Sequence, residues 1–205
     1  MLYDFIEIGT SDFHALIENA DDNTKGLSIE PIQMYLDNLP NRKNVKKLCL
    51  GISNCNKNEK VFYVKPENIE KYGLPYWLRG CNSISKPHYQ HLNLLNGDML
   101  HILESQDIEI ITTKMMIERY DIEGVKYLKV DTEGHDCVIL LDYIKNCRLN
   151  PSLFPDEILF ESNILSSKED QEKVISEFQE HGYDVERLLD DVRLTLPKVT
   201  YEPQK

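Results

Sequence analysis

Val125-Lys126-Tyr127-Leu128-Lys129-Val130-Asp131-Thr132-Glu133-Gly134-His135-Asp136-Cys137-Val138-Ile139-Leu140-Leu141 reads as a short strand, an acidic turn and the opening of a helix. Residues 125–130 carry the strand and run into Asp131, and the apolar run from Cys137 to Leu141 continues as helix. The same succession recurs on either side. Residues 3–9, Tyr-Asp-Phe-Ile-Glu-Ile-Gly, alternate apolar with polar and end at a glycine. Asp12 to Ile17 is then expected to be helical, capped by Ser11 or Asp12. Residues 26–30 end at an acid followed by Pro31, which suits a first helical position. Residues 157–161 form a further strand, after which Ser166 or Ser167 caps an amphipathic helix running to about His181 and ending at Gly182. Residues 183–188 and 192–196 are expected to pair as a terminal antiparallel hairpin. Strands alternating with helices at short spacing predict an α/β domain with a mainly parallel central sheet and helices on both faces.

Between these units the pattern changes. Residues 46–52 and 60–64 read as strands, but residues 65–95 mix prolines and glycines with Tyr72, Tyr76, Trp77 and Tyr89 and show no clear period. Such a stretch inside a compact domain is usually functional, and its aromatics predict an ordered lid or substrate-loop insertion. The 205 residues fit a single domain. Lys and Arg number 23 against 35 Asp and Glu, a formal net charge of −12, which disfavours a general binder of nucleic acid or anionic membrane. No apolar run approaches a membrane span and Met1 to Phe5 does not read as a signal peptide, so a soluble protein is expected. Cys49, Cys55, Cys81, Cys137 and Cys147 form no Cys-x-x-Cys pair and no zinc-spaced cluster with histidine, and read as reduced thiols of a cytoplasmic protein.

In open parallel sheets, ligands bind beyond the carboxyl ends of the strands. Gly9 and Glu30 end the first two strands, 21 positions apart, a spacing at which backbone can approach a nucleoside while a carboxylate accepts its ribose hydroxyls. A dinucleotide would need a glycine-rich turn for its pyrophosphate. Gly9-Thr10-Ser11-Asp12 has one glycine, and Glu7 and Asp12 would repel that anion while favouring a sulfonium and an ammonium. The expected ligand is therefore S-adenosylmethionine, held by Glu7, Gly9, Thr10, Ser11, Asp12, Glu30, Pro31, Ser53 and Asp131.

Phe5-Ile6-Glu7-Ile8-Gly9, Ser28-Ile29-Glu30-Pro31, Tyr127 to Gly134 and Glu157-Ile158-Leu159-Phe160-Glu161 occur in an order that resembles the FkbM-type methyltransferases over about residues 3–190. The Lys129-x-Asp131-x-Glu133-Gly134 segment is the most specific part of the likeness. The resemblance implies a class I, Rossmann-like fold that binds S-adenosylmethionine and methylates a hydroxyl, often on a sugar or natural product. Where that family usually has Glu-Gly-Ala-Glu, this chain has Glu133-Gly134-His135-Asp136, which adds a titratable group.

Methyl transfer to oxygen needs the acceptor aligned within about 3–3.5 Å of the methyl carbon and relieved of its proton. His135 is the expected base, oriented by Asp131 or Glu133. On the acceptor side, Trp77, Arg79, Asn82, Ser83 and His88 are expected to read a small hydroxylated molecule or glycan, by stacking and hydrogen bonding, with Arg79 alternatively holding a phosphate. His88 is a second candidate base. No metal is required, although Asp131, Glu161 and Asn163 offer oxygen ligands of the kind used by magnesium-dependent enzymes of this fold. A non-catalytic binding or scaffold module and a nicotinamide-dependent enzyme are the competing expectations.

Overall fold

The computed structural model describes residues 1–95 and 97–197. In chain order the elements are β1 (Leu2–Ile8), β2 (Gly26–Ile29), α1 (Gln33–Asn38), β3 (Val45–Leu48), β4 (Gly51–Ser53), β5 (Lys57–Val64), α2 (Pro66–Lys71), β6 (Ser83–Ile84), α3 (Tyr89–Leu94), β7 (Leu103–Thr112), α4 (Thr113–Arg119), β8 (Gly124–Val130), α5 (Asp136–Leu149), β9 (Glu157–Glu161), α6 (Lys168–Gln179), β10 (Asp184–Arg187) and β11 (Asp191–Thr195). Short 3-10 turns at Leu16–Asn19, Tyr76–Arg79, Gly97–Ile102 and Pro151–Leu153 complete them.

Among the described residues the strands form two sheets. The larger runs β10-β11-β9-β8-β1-β2-β3; its pairs are parallel from β9 to β3, and β11 is antiparallel to both β9 and β10. The chain is thus α/β with a mixed, mostly parallel sheet, and the terminal hairpin lies where the sequence predicts it.

Alternation along the strands decides which residues face which layer. Ile6, Ile8, Leu27, Ile29, Leu128 and Val130 join Ile139, Leu140 and Tyr143 of α5 and Val174 and Phe178 of α6 in the main core. Phe5, on the other face, packs with Ala15, Ile17, Leu36, Leu39 and Val45. The parallel register sets Glu7 opposite Lys129 on this second face. From β1 the chain adds β2 and β3 on one side and later β8 and β9 on the other. The order therefore reverses between β1 and β8, the place where open α/β sheets leave a crevice.

Three expectations need correction. Residues 46–52 are not one strand: the chain turns at Cys49-Leu50, so β3 ends in the large sheet while β4 enters a second sheet of order β4-β7-β5-β6. A Cβ on Gly51 would sit 3.2 Å from both Ile110 and Ile84, so the second sheet packs tightly at that position. Residues 12–17 are not an α-helix, because Ser11 and His14 adopt left-handed backbone, at φ 52° and 56°, and only the short turn at Leu16–Asn19 remains. The segment laid over the strand ends is also wider than 65–95, for it includes the whole sheet from β4 to β7. Within it residues 65–95 are folded, with α2, the Tyr76–Arg79 turn, β6 and α3. Among the described residues, no helix is long and apolar enough to cross a membrane.

Candidate functional site

Gly9 follows β1 with φ +83°, its N–H donating to the Ile29 carbonyl at 2.9 Å. A Cβ at this position would lie 1.8 Å from the Asp131 carbonyl oxygen, so the close approach of the β1 and β8 ends requires glycine. Glu30, buried at the end of β2, accepts hydrogen bonds from the Ser11 N–H at 2.9 Å and the Ile32 N–H at 3.0 Å, one on each oxygen. Burial pushes its carboxyl up to about 7 despite those bonds. Each oxygen keeps lone-pair capacity for a further donor. The Ser11 hydroxyl is buried without a partner.

These groups open onto one cavity of about 900 Å³, between the strand ends and the second sheet. Gly9, Thr10, Ser11, Glu30, Pro31, Ser53 and Asp131 all line it, with Ile8, Ile29, Leu50 and Ile52 supplying apolar surface. Its volume lies in the range of small-molecule and cofactor sites. Two members of the expected cofactor set are elsewhere. Glu7 is wholly buried, its carboxylate accepting from Lys129 Nζ at 3.0 Å and the Leu16 N–H at 2.9 Å. Asp12 is ion-paired with Arg79 and accepts from Asn38 Nδ2 at 2.8 Å. Both charges are already compensated within the fold, so neither repels an anion or attracts a cation as expected.

The turn after β8 builds the next wall. Asp136, fully buried, accepts from the Thr132 N–H at 3.2 Å, the Thr132 hydroxyl at 3.1 Å and the Gly134 N–H at 3.2 Å, closing the turn on itself. The closure holds Glu133 in left-handed backbone at φ 54°. Burial and neighbouring carboxylates raise Glu133 to about 8 and Glu161, at the end of β9, to about 9; both line the cavity.

His135, immediately before α5, also lines the cavity, and its Nε2 shares a 3.0 Å hydrogen bond with Ser53 Oγ. Burial, and secondarily Lys57, lowers its pKa, so the ring is neutral at pH 7. The expected orienting carboxylates are otherwise engaged: Asp131 lies 3.8 Å from Lys129 Nζ, and Glu133 faces His88 with its Oε2 3.9 Å from Nε2. Ser53, expected among the cofactor contacts, lines the cavity and also holds the His135 ring through this bond.

Trp77, Asn82, Ser83 and His88 line the same cavity from the covering segment. Arg79 does not. Its guanidinium pairs with Asp12, donates to the Tyr76 hydroxyl at 2.7 Å, and lies 5.5 and 5.1 Å from the Phe13 and Tyr76 ring centroids. That charge clamps the cover to the first turn and is not available to a phosphate. Asn82 and Ser83 partly serve the loop itself, donating at 2.7 Å to the Arg79 and Lys86 carbonyls.

Of the three oxygen ligands considered from the sequence, Asp131 and Glu161 line the main cavity, while Asn163 lines a neighbouring cleft, its Nδ2 donating to Glu161 Oε1 at 2.5 Å and its Oδ1 accepting from the Leu165 N–H at 2.8 Å. A different group gathers: Cys81, His88 and Glu133 offer ligand atoms within 4.8 Å of one another. Cys81 reads as ordinary packing in the sequence, and no local spacing links these residues. No family model matches this chain, and neither a curated protein nor a solved structure matches it.

Proposed function

We propose that the protein is an S-adenosylmethionine-dependent O-methyltransferase acting on a hydroxyl of a small acceptor, a sugar or glycan. The observation that carries this reading is the convergence of Gly9, Glu30 and Asp131, the residues ending three neighbouring parallel strands, on one cavity at the reversal of strand order. The parallel order β3-β2-β1-β8-β9 supports a Rossmann-like fold, and the FkbM-type resemblance points to the methyl donor over a dinucleotide. The unpartnered Ser11 hydroxyl and the remaining acceptor capacity of Glu30 suit ribose hydroxyls, while Asp131 suits a cationic ligand, whose charge would in turn favour the ionised forms of Glu133 and Glu161.

When bound, S-adenosylmethionine supplies a methyl group on a cationic sulfur that leaves as a neutral thioether. Neutral His135 accepts the proton of the acceptor hydroxyl, with Ser53 holding the ring in place. Trp77 offers a half-exposed aromatic face to a sugar ring, and Asn82 and Ser83 lie beside it. The second sheet and its loops cover the cavity and exclude water.

Calorimetric titration with S-adenosylmethionine and S-adenosylhomocysteine tests the reading, with NAD as the comparison ligand. One-site binding of the adenosyl ligands, absent in Glu30→Ala and retained in His135→Ala, is the expected result. His135→Ala loses about 10²–10⁴-fold in turnover. In the wild type, turnover rises with pH through a value below 6.5, because the base must be neutral. Full activity of His135→Ala removes the base assignment, and folded protein that binds neither adenosyl ligand favours a non-catalytic module.

A further inference from the structure

Three segments distant in sequence meet at one wall of the cavity. Cys81 follows the Tyr76–Arg79 turn, His88 caps the N-terminus of α3 behind Pro87, and Glu133 sits in the strained turn after β8. His88 is 7% exposed, and its Nε2 has no hydrogen-bond partner although it is fully buried. That nitrogen faces Glu133 Oε2 at 3.9 Å, too long for a hydrogen bond, and Cys81 Sγ completes a triangle with no edge above 4.8 Å. A buried, unpartnered ring nitrogen turned toward a thiol and a carboxylate is costly in isolation and is explained by a missing common partner.

We infer that Cys81, His88 and Glu133 form a zinc site, with a fourth coordination position open to the acceptor side of the cavity. Thiolate, imidazole and carboxylate together are the donor set of zinc rather than of magnesium or calcium, which take oxygen. Zinc with bonds of about 2.0–2.3 Å separates its tetrahedral ligand atoms by roughly 3.3–3.7 Å, so loading requires the edges of the triangle to close by up to about 1.5 Å. As the metal binds, the thiol proton and any proton on Glu133 leave for solvent. The ring proton moves to Nδ1, giving up the 3.3 Å hydrogen bond that this atom now accepts from the Gln90 N–H. Cys81, His88 and Glu133 all line a second cleft of about 840 Å³ beside the main cavity, and His88 and Glu133 line the main cavity as well, so the open position is reachable by water or a hydroxyl. Glu161, whose Oε2 is buried without a partner, lines the same cleft and offers a further oxygen to what binds there. Zinc there would act on the acceptor as a Lewis acid. The inference does not depend on adenosyl binding.

The test uses the full chain, stripped with chelator and titrated with Co²⁺ and then Zn²⁺, with no adenosyl compound present. One equivalent of Co²⁺ is expected to give tetrahedral visible absorption and a thiolate charge-transfer band in the near ultraviolet, both displaced by Zn²⁺. Cys81→Ser abolishes the charge-transfer band, His88→Gln weakens binding by at least about 10²-fold, and Cys55→Ser, at an exposed thiol, leaves the spectrum unchanged. X-ray absorption at the zinc edge of the wild type needs no variant, and should show one sulfur at about 2.3 Å with nitrogen and oxygen neighbours near 2.0 Å. Absence of a sulfur neighbour, or a charge-transfer band that survives in Cys81→Ser, overturns the inference. Calorimetry with S-adenosylhomocysteine on the same stripped protein reports separately on the adenosyl proposal.

Discussion

The two walls of the main cavity satisfy their polar groups differently. On the strand-end side, Glu30 faces the cavity with two amide donors, and behind it Glu7 has Lys129 and an amide while Asp136 has three donors; the unpartnered buried atoms of β1, β2 and the turns that follow β1 and β8 are hydroxyls, Ser11 Oγ and Ser28 Oγ. In the covering segment Arg79 Nε, Asn82 Oδ1, His88 Nε2 and both nitrogens of His91, behind the wall, are buried without partners, as is Glu161 Oε2 at the neighbouring end of β9. A wall that satisfies itself is organised before any ligand arrives, whereas one that does not is completed by what binds. The first therefore suits recognition of a ligand of fixed shape, and the second suits a cation and the acceptor it holds.

The largest expected effect comes from unbalancing the satisfied wall. Glu7→Ala leaves Lys129 with only its 3.8 Å approach to Asp131 and the Leu16 N–H without its acceptor, and should lower unfolding free energy by about 3–5 kcal/mol in denaturant titration. A loss below about 1 kcal/mol would mean that this wall does not depend on its internal pairing. Glu30 gives the next effect, through pH. Its folded-state value of about 7 exceeds the ordinary 4.5, so the protonated form is favoured in the fold, and its contribution is present below pH 4.5 and lost as pH rises through 7. Stability of the unliganded chain should fall over that window by about 2–4 kcal/mol from this group, and the slope should flatten in Glu30→Gln.

The smallest effect is on the covering wall and has the opposite sign. His91 is wholly buried, and burial lowers its pKa to about 4, so it is a neutral ring with two unmet polar atoms. His91→Leu should leave stability unchanged or raise it by up to about 2 kcal/mol. A clear loss in thermal unfolding would show that the ring has a polar role and would weaken the contrast.

How much of each wall is legible in the sequence follows the same division. Strands ending at Gly9, Glu30 and Asp131, the helix opening after His135, the Ser167 cap and the final hairpin each announce themselves within a few residues. Parallel strands buried on both faces leave strong local patterns. The pairings of Glu7 with Lys129 and of Asp12 with Arg79 are invisible at that range, since they depend on register and on a covering loop. Those two pairs are where charge read from the sequence misleads. Ser11 and His14 broke the expected first helix through left-handed backbone that no glycine signals. The second sheet was obscured because β4 continues directly from β3 with no breaker longer than two residues, and β7 lies far along the chain. Cys81, His88 and Glu133 carry no spacing motif and meet only through tertiary packing.

The most direct measurement is a crystal structure of the chain grown with S-adenosylhomocysteine. The expected density places the ribose against Glu30 and Ser11, with the sulfur on the side of Asp131 and His135. A fully liganded crystal with the nucleoside outside the cavity bounded by Gly9 and Glu30 would contradict the assignment of the strand ends as the adenosyl site.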